Sequence, residues 1–180
     1  MSVYDYNRTY AGVTQGFVAE ASHVFEASLQ RIEHCANQLS EEQLWWRPRP
    51  EMNSIANLML HLSGNVGQWV VSAVANVPSN RNRPLEFLQR EPIPRGQLLG
   101  TLRDAVTRTT GAIESIKTSQ QLLGARRIQG NDTNLLTAIF HAASHFEGHT
   151  QEIIGMTRQI LGEKYKYLWK PQTPEQVSAS

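Results

Sequence analysis

The sequence predicts an all-α fold, a four-helix bundle with long crossover connections, and three observations predict it. Apolar residues recur at helical spacing in four separate stretches. Two of the segments between them are too long and too polar to be tight turns, and no stretch shows sustained strand alternation. Residues 1–180 read as one domain, with core helices over about 10–39, 54–77, 95–117 and 133–161.

The first helix buries Phe17/Val18, Ala21, Val24/Phe25, Ile32, Cys35/Ala36 and Leu39, one face at 3.6-residue spacing. Cys35 on that face reads as a small buried hydrophobe. Ser40, followed three residues later by Gln43, is a capping-box pattern that opens a short helical turn, which Arg47-Pro48-Arg49-Pro50 ends. Asn53 or Ser54 caps the second helix, whose face runs Ile55, Leu58, Leu62, Val66, Trp69/Val70, Ala73 and Val77.

Pro78 closes that helix, and residues 78–95, with Pro78, Pro84, Pro92 and Pro94, read as an irregular connector. Within it Arg81, Arg83 and Glu86 suit either an anion clamp or a solvated loop. The third helix shows Leu98/Leu99, Leu102, Ala105/Val106, Ala112/Ile113 and Ile116. A polar connector follows, with one short extended piece expected around 125–128. Asp132, Thr133 or Asn134 then caps the last helix, which carries Leu135/Leu136, Ile139, Ala143, Phe146, Ile153/Ile154 and Ile160/Leu161 and ends at Gly162. The aromatic tail, Tyr165 to Trp169 and then Pro171 and Pro174, is expected to pack back on the bundle.

Composition narrows the function classes. Lys and Arg total 17 against 16 Asp and Glu, a formal net charge of +1, so the basic stripe of a nucleic-acid binder is not expected. One cysteine cannot form an internal disulfide, which fits a reducing compartment. The opening Met-Ser-Val-Tyr-Asp-Tyr-Asn-Arg lacks the pattern of a secretory signal, and no apolar run reaches membrane-spanning length. The expectation is a cytoplasmic protein that contacts neither nucleic acid nor membrane.

Six histidines carry the chemistry: His23, His34, His61, His141, His145 and His149. Residues four apart project from one side of a helix, so His145 and His149 can bind one ion together. At about 100° per residue, His149 lies roughly 80° from Ile139, His145 roughly 120° and His141 about 160°. His61 lies about 60° from Leu58 on the second helix. The pair and His61 thus border the core, whereas His141 points outward, and the three bordering rings can converge. Three imidazoles with one open position describe a catalytic metal site. Separate hydrogen-bonded histidines at the rim of the core would leave the same pattern. A di-iron carboxylate bundle lacks ligands, because only Glu20-Ala-Ser-His23 has the Glu-x-x-His form.

Four segments, in order, resemble the DinB-like superfamily and, within it, a bacterial branch without an assigned activity. They are Ser-Glu-Glu-Gln-Leu-Trp-Trp-Arg-Pro (40–48), Ser-Ile-Ala-Asn-Leu-Met-Leu-His-Leu-Ser-Gly-Asn (54–65), Arg-Asn-Arg-Pro-Leu-Glu-Phe (81–87) and His-Phe-Glu-Gly-His-Thr (145–150). The resemblance implies a four-helix bundle, a homodimer, and a divalent metal, zinc or nickel, on His61, His145 and His149. It also implies thiol-dependent chemistry, since relatives include transferases that use bacillithiol or mycothiol and a mycothiol-dependent maleylpyruvate isomerase. Four Trp and five Tyr, many outside evident core positions, agree with a homodimer.

One departure stands out. Relatives continue after the last histidine as His-Thr-Gly-Gln or His-Arg-Gly-Gln, whereas this chain reads His149-Thr150-Gln151-Glu152. The amide is displaced by about 100° around the helix. The implied activity is transfer or addition of an exogenous low-molecular-weight thiol to an electrophilic small molecule, with a hydrolase-like activation of water as the lesser variant; Asn65 and Gln68 are candidates to orient the ligand. The alternative is a non-catalytic dimeric bundle that binds metal or ligand in a stress response.

Overall fold

The computed structural model describes residues 7–169. The chain opening before Asn7 and the tail prolines Pro171 and Pro174 lie outside the described residues. Four long helical segments form the bundle: α1 (Val13–Ala36), a composite second rod, α6 (Arg95–Glu114) and α8 (Leu135–Leu161). Helix α1 packs on α8 and α6, and the second rod packs on the same two from the other side. No helix among the described residues is long and apolar enough to cross a membrane.

The second rod is not uniform. It comprises α3 (Ile55–Val66), a π-helical stretch over Gly67–Ser72, and α4 (Ala73–Ala75), ended by Asn76 in the left-handed region at φ 56°. A π turn holds more residues than an α turn and lets a helix re-aim side chains without breaking. Here Val70 and Ala73 stay buried while Trp69 reaches across to α8. Neither apolar spacing nor propensity signals this irregularity.

Capping follows the sequence closely. Ser40 and Ser54 each close a capping box, with Gln43 and Asn57 respectively, and Asn134 accepts a bond from the Thr137 amide at the start of α8. Ser40 starts α2 (Glu41–Trp45). Leu136, expected on the buried stripe of α8, is instead 37% exposed, and Ala138 and Ala142 are buried in its place.

The connectors hold more structure than an irregular reading allows. The one after Pro78 forms α5 (Arg83–Leu88), with Pro84 in its first turn, where a fixed φ favours helix and the missing donor costs nothing. The one after α6 forms α7 (Ser119–Leu122) and a hairpin of β1 (Ala125–Ile128) with β2 (Asn131–Asn134). Ala125 pairs with Asn134 and Ile128 with Asn131, across a turn where Gln129 and Gly130 both take positive φ.

Two devices tie the α1 region to α8 and to the segment that follows it. The Arg31 guanidinium donates to both oxygens of Glu147 on α8, at 2.8 and 2.6 Å, and Ser28 donates to the same carboxylate at 2.8 Å. Burial alone would raise the Glu147 pKa; the donors from Arg31, Gln151 and Ser28 outweigh it and hold the group ionised. Beyond α8, the Lys166 amide donates to Gln38 and its carbonyl accepts from Gln38, so the start of the aromatic tail folds back beside the end of α1, whereas Tyr167 and Trp169 are exposed. Cys35 sits there, 1% exposed, with burial pushing its thiol pKa up.

Candidate metal centre

The capping box at Ser54 sets where α3 begins, and two turns on it buries His61 to 3% exposure. On α8, the i, i+4 spacing puts His145 and His149 on the side that faces α3. The three rings converge. Each offers one nitrogen, and these atoms all lie within 4.8 Å of one another. Nε2 of His61 is 2.8 Å from Nε2 of His145, and the His145 and His149 ring centroids are 4.5 Å apart.

A tetrahedral zinc site with bonds of about 2.0–2.1 Å separates its nitrogens by about 3.3–3.4 Å, so small rotamer shifts would bring this donor set into place. Soft thiolate ligands are absent from the group and imidazole is its sole donor type, which suits zinc, nickel, copper or ferrous iron.

Carboxylates back two of the rings. Glu86, from α5, lies 2.9 Å from Nδ1 of His61, and Glu152 lies 2.7 Å from Nδ1 of His149. An Nδ1–H donating to a carboxylate leaves Nε2 as the coordinating nitrogen and raises its basicity. Glu152 stands three residues after His149, the helix position at which the resemblance implies an amide. The displaced amide, Gln151, donates to Glu147 at 2.8 Å and does not reach His149.

Glu86 is held from several directions. Arg81 grips it with Nε on Oε1 at 2.6 Å and Nη2 on Oε2 at 2.7 Å. Asn57 of the capping box donates to the backbone carbonyls of Glu86 and Gln89, and Arg47 donates to Asn57 and to Gln89. Gly64 passes directly beneath the pair: a Cβ there would overlap Glu86 Oε1 and touch Arg81 Nε. Burial pushes the Glu86 pKa up, but Arg81 and His61 prevail and keep it ionised. The solvated-loop reading of this connector therefore fails for Arg81 and Glu86, whose side chains are 5% and 10% exposed. It holds for Arg83, which is exposed and lies over the Phe87 ring at 4.9 Å. An anion clamp is not formed either, because Arg81 is already neutralised by Glu86.

The remaining residues divide. His141 is exposed and outside the converging group, although its ring lies 4.3 Å from Trp69 and stacks on His145 at 5.9 Å. Asn65, one turn after His61, is 4% exposed, and its Oδ1 has no hydrogen-bond partner among the described residues. Gln68 is half-buried, and its oxygen already accepts from Arg81 at 3.1 Å and Gln129 at 2.6 Å. Phe87 covers His61, ring centroids 4.7 Å apart.

Burial, followed by the charges of His149, His61, His141 and Arg81, pushes the His145 pKa down from 6.5 to about 4. The unfolded chain takes this proton near 6.5 and the folded chain resists until about 4, so stability is full above 6.5 and falls with pH through that window. Urea midpoints of metal-free protein should therefore drop from pH 6.5 to 4, and drop less in His145→Ala. Equal slopes for the two proteins would refute this.

Among curated proteins none matches the chain. Solved structures share its fold, two of them as follows. A conserved protein from Enterococcus faecalis superposes with a TM-score of 0.68 at 16% identity, covering 80% of this chain and 96% of that one. A DinB-like protein from Bacillus cereus ATCC 10987 does so with a TM-score of 0.61 at 15% identity, covering 81% and 91%. The bundle is thus of the DinB-like type, as the order of the sequence segments implied. A family model matches residues 12–173, so this chain belongs to the family described as "Protein of unknown function (DUF1572)".

Proposed function

We propose that His61, His145 and His149 hold a divalent metal ion, zinc or nickel, and that the protein transfers a low-molecular-weight thiol to an electrophilic small molecule. The observation that carries the reading is the convergence of three imidazoles, two of them backed by carboxylates. Three protein ligands leave a position open, as catalytic sites do. An ion held there would supply Lewis acidity, lowering the pKa of a coordinated thiol toward neutral pH. The chain's own residues bind and aim. Glu86 and Glu152 orient two ligand rings, and Phe87 shields His61 from water. Asn65 is a candidate to orient the bound thiol or acceptor, because its buried oxygen lacks a protein partner. Gln68 is a second candidate, through its amide nitrogen.

The thiol must come from outside, because Cys35 is buried on α1 with a raised pKa. We further propose a homodimer, consistent with exposed Trp46, Phe140, Tyr167 and Trp169. Metal analysis of protein purified without chelators should give close to one ion per chain. A panel of small thiols with a chromogenic electrophile should then show conjugation that chelation abolishes. Absence of metal even after supplementation would remove the chemistry. Metal without conjugation across the panel would assign a binding rather than a catalytic role.

A further inference from the structure

Nδ1 of His61 has two neighbours of opposite character. Glu86 Oε2 is 2.9 Å away and Arg81 Nη2 is 3.0 Å away. A guanidinium only donates, and an ionised carboxylate only accepts. If Glu86 accepts, Nδ1 carries the proton and Nε2 keeps its lone pair, which without an ion accepts from Nε2–H of His145 at 2.8 Å and with one can coordinate. If Arg81 donates, the proton must sit on Nε2, which then cannot coordinate. One nitrogen cannot satisfy both groups, and the choice between them decides whether His61 is a ligand.

We propose that Glu86 is the positioning residue that selects the coordinating tautomer of His61 and diverts Arg81, the competing donor, onto itself. The inference rests on the metal-site reading above. The fork of Arg81 engages Glu86 through Nε and one Nη2 proton, its Nη1 donates to Gln68, and the second Nη2 proton has the His61 backbone carbonyl, 3.5 Å away, as an acceptor other than Nδ1. All three side chains are buried, His61 to 4%, Arg81 to 5% and Glu86 to 10%, so water is poorly placed to substitute for a missing partner. Gly64 leaves the space that lets the carboxylate approach. The segment after Pro78 therefore belongs to the site as fully as the helices do.

The test uses metal-free and zinc-loaded full-length protein. In Glu86→Ala, Arg81 is the group left at Nδ1, so the proton moves to Nε2 and zinc affinity falls by about 100-fold. Glu86→Gln keeps an accepting oxygen at the same reach and loses about 10-fold. Arg81→Met added to Glu86→Ala removes the competing donor and the stranded charge together, and recovers at least part of the loss. Chelator competition reads these affinities. Long-range proton–nitrogen correlation of the His61 ring in metal-free protein reads the tautomer directly, Nδ1–H in wild type and Nε2–H in Glu86→Ala.

A purely packing role would lower melting temperature without this rank order and without rescue. The proposal is overturned if wild-type His61 carries its proton on Nε2, if Glu86→Ala binds zinc as wild type does, or if the double variant binds no better than Glu86→Ala. Failure of wild type to bind zinc with His61 in the Nδ1–H form would instead sink the metal reading and leave the tautomer assignment standing.

Discussion

His61→Ala, His145→Ala and His149→Ala are each expected to purify with little metal, while His141→Ala keeps the wild-type content. Three of these histidines share α8 at identical spacing, so the prediction separates neighbours that composition cannot. Removing one of three ligands takes away a bond and the preorganised geometry, and should cost more than the roughly 10–100-fold typical of losing an outer hydrogen-bond partner. His141 is exposed and offers no nitrogen to the converging group. The bundle should stay folded in all four, since its core is apolar and continuous without the site. Helical dichroism checks the folding and elemental analysis the metal. Loss of metal in His141→Ala with retention in His61→Ala would place the ligands elsewhere.

Phe146→Ala should destabilise the protein by about 3–5 kcal/mol in urea unfolding. Phe146 is fully buried and meets Phe25 of α1 edge-to-face, with ring centroids 5.4 Å apart at 85°. Truncation loses that pair and leaves a cavity where α1 and α8 join. Domains are stable by only about 5–15 kcal/mol, so a large part of the total is at stake. Phe140 on the same helix is 66% exposed, and Phe140→Ala should change stability by less than about 0.5 kcal/mol in the monomer. A loss below about 1 kcal/mol for Phe146→Ala would mean that the helices repack around the gap.

Much of this was legible in the sequence because it is local. The apolar stripes repeat every turn, the caps at Ser40 and Ser54 are written within four residues, and His145 and His149 are coupled by the helix between them. His61 was legible for a related reason, since its offset from Leu58 needs only α-helical geometry. Glu86 was not. Its contact with His61 spans 25 residues and depends on Asn57, Arg47 and Gly64 agreeing on where α5 lands. No periodicity encodes such an agreement, and a connector with four prolines reads as loop even where Pro84 starts a helix. The π stretch after Val66 was hidden because apolar spacing of three and four suits either winding.

The grip of Arg31 and Ser28 on Glu147 has a consequence for precision. Glu147 stands two residues from His145 and two from His149, so it leaves α8 on roughly the opposite side, about 160° away. Side-chain atoms ride some 5–6 Å from a helix axis, where a twist of only 10° sweeps them by about 1 Å. Metal geometry tolerates about half that. A bidentate fork on the far side acts as a torsional stop. It fixes the rotation of the rod about its own axis, which apolar packing alone, being non-directional, constrains weakly. The angular error of two imidazoles is thus governed by a salt bridge that touches neither.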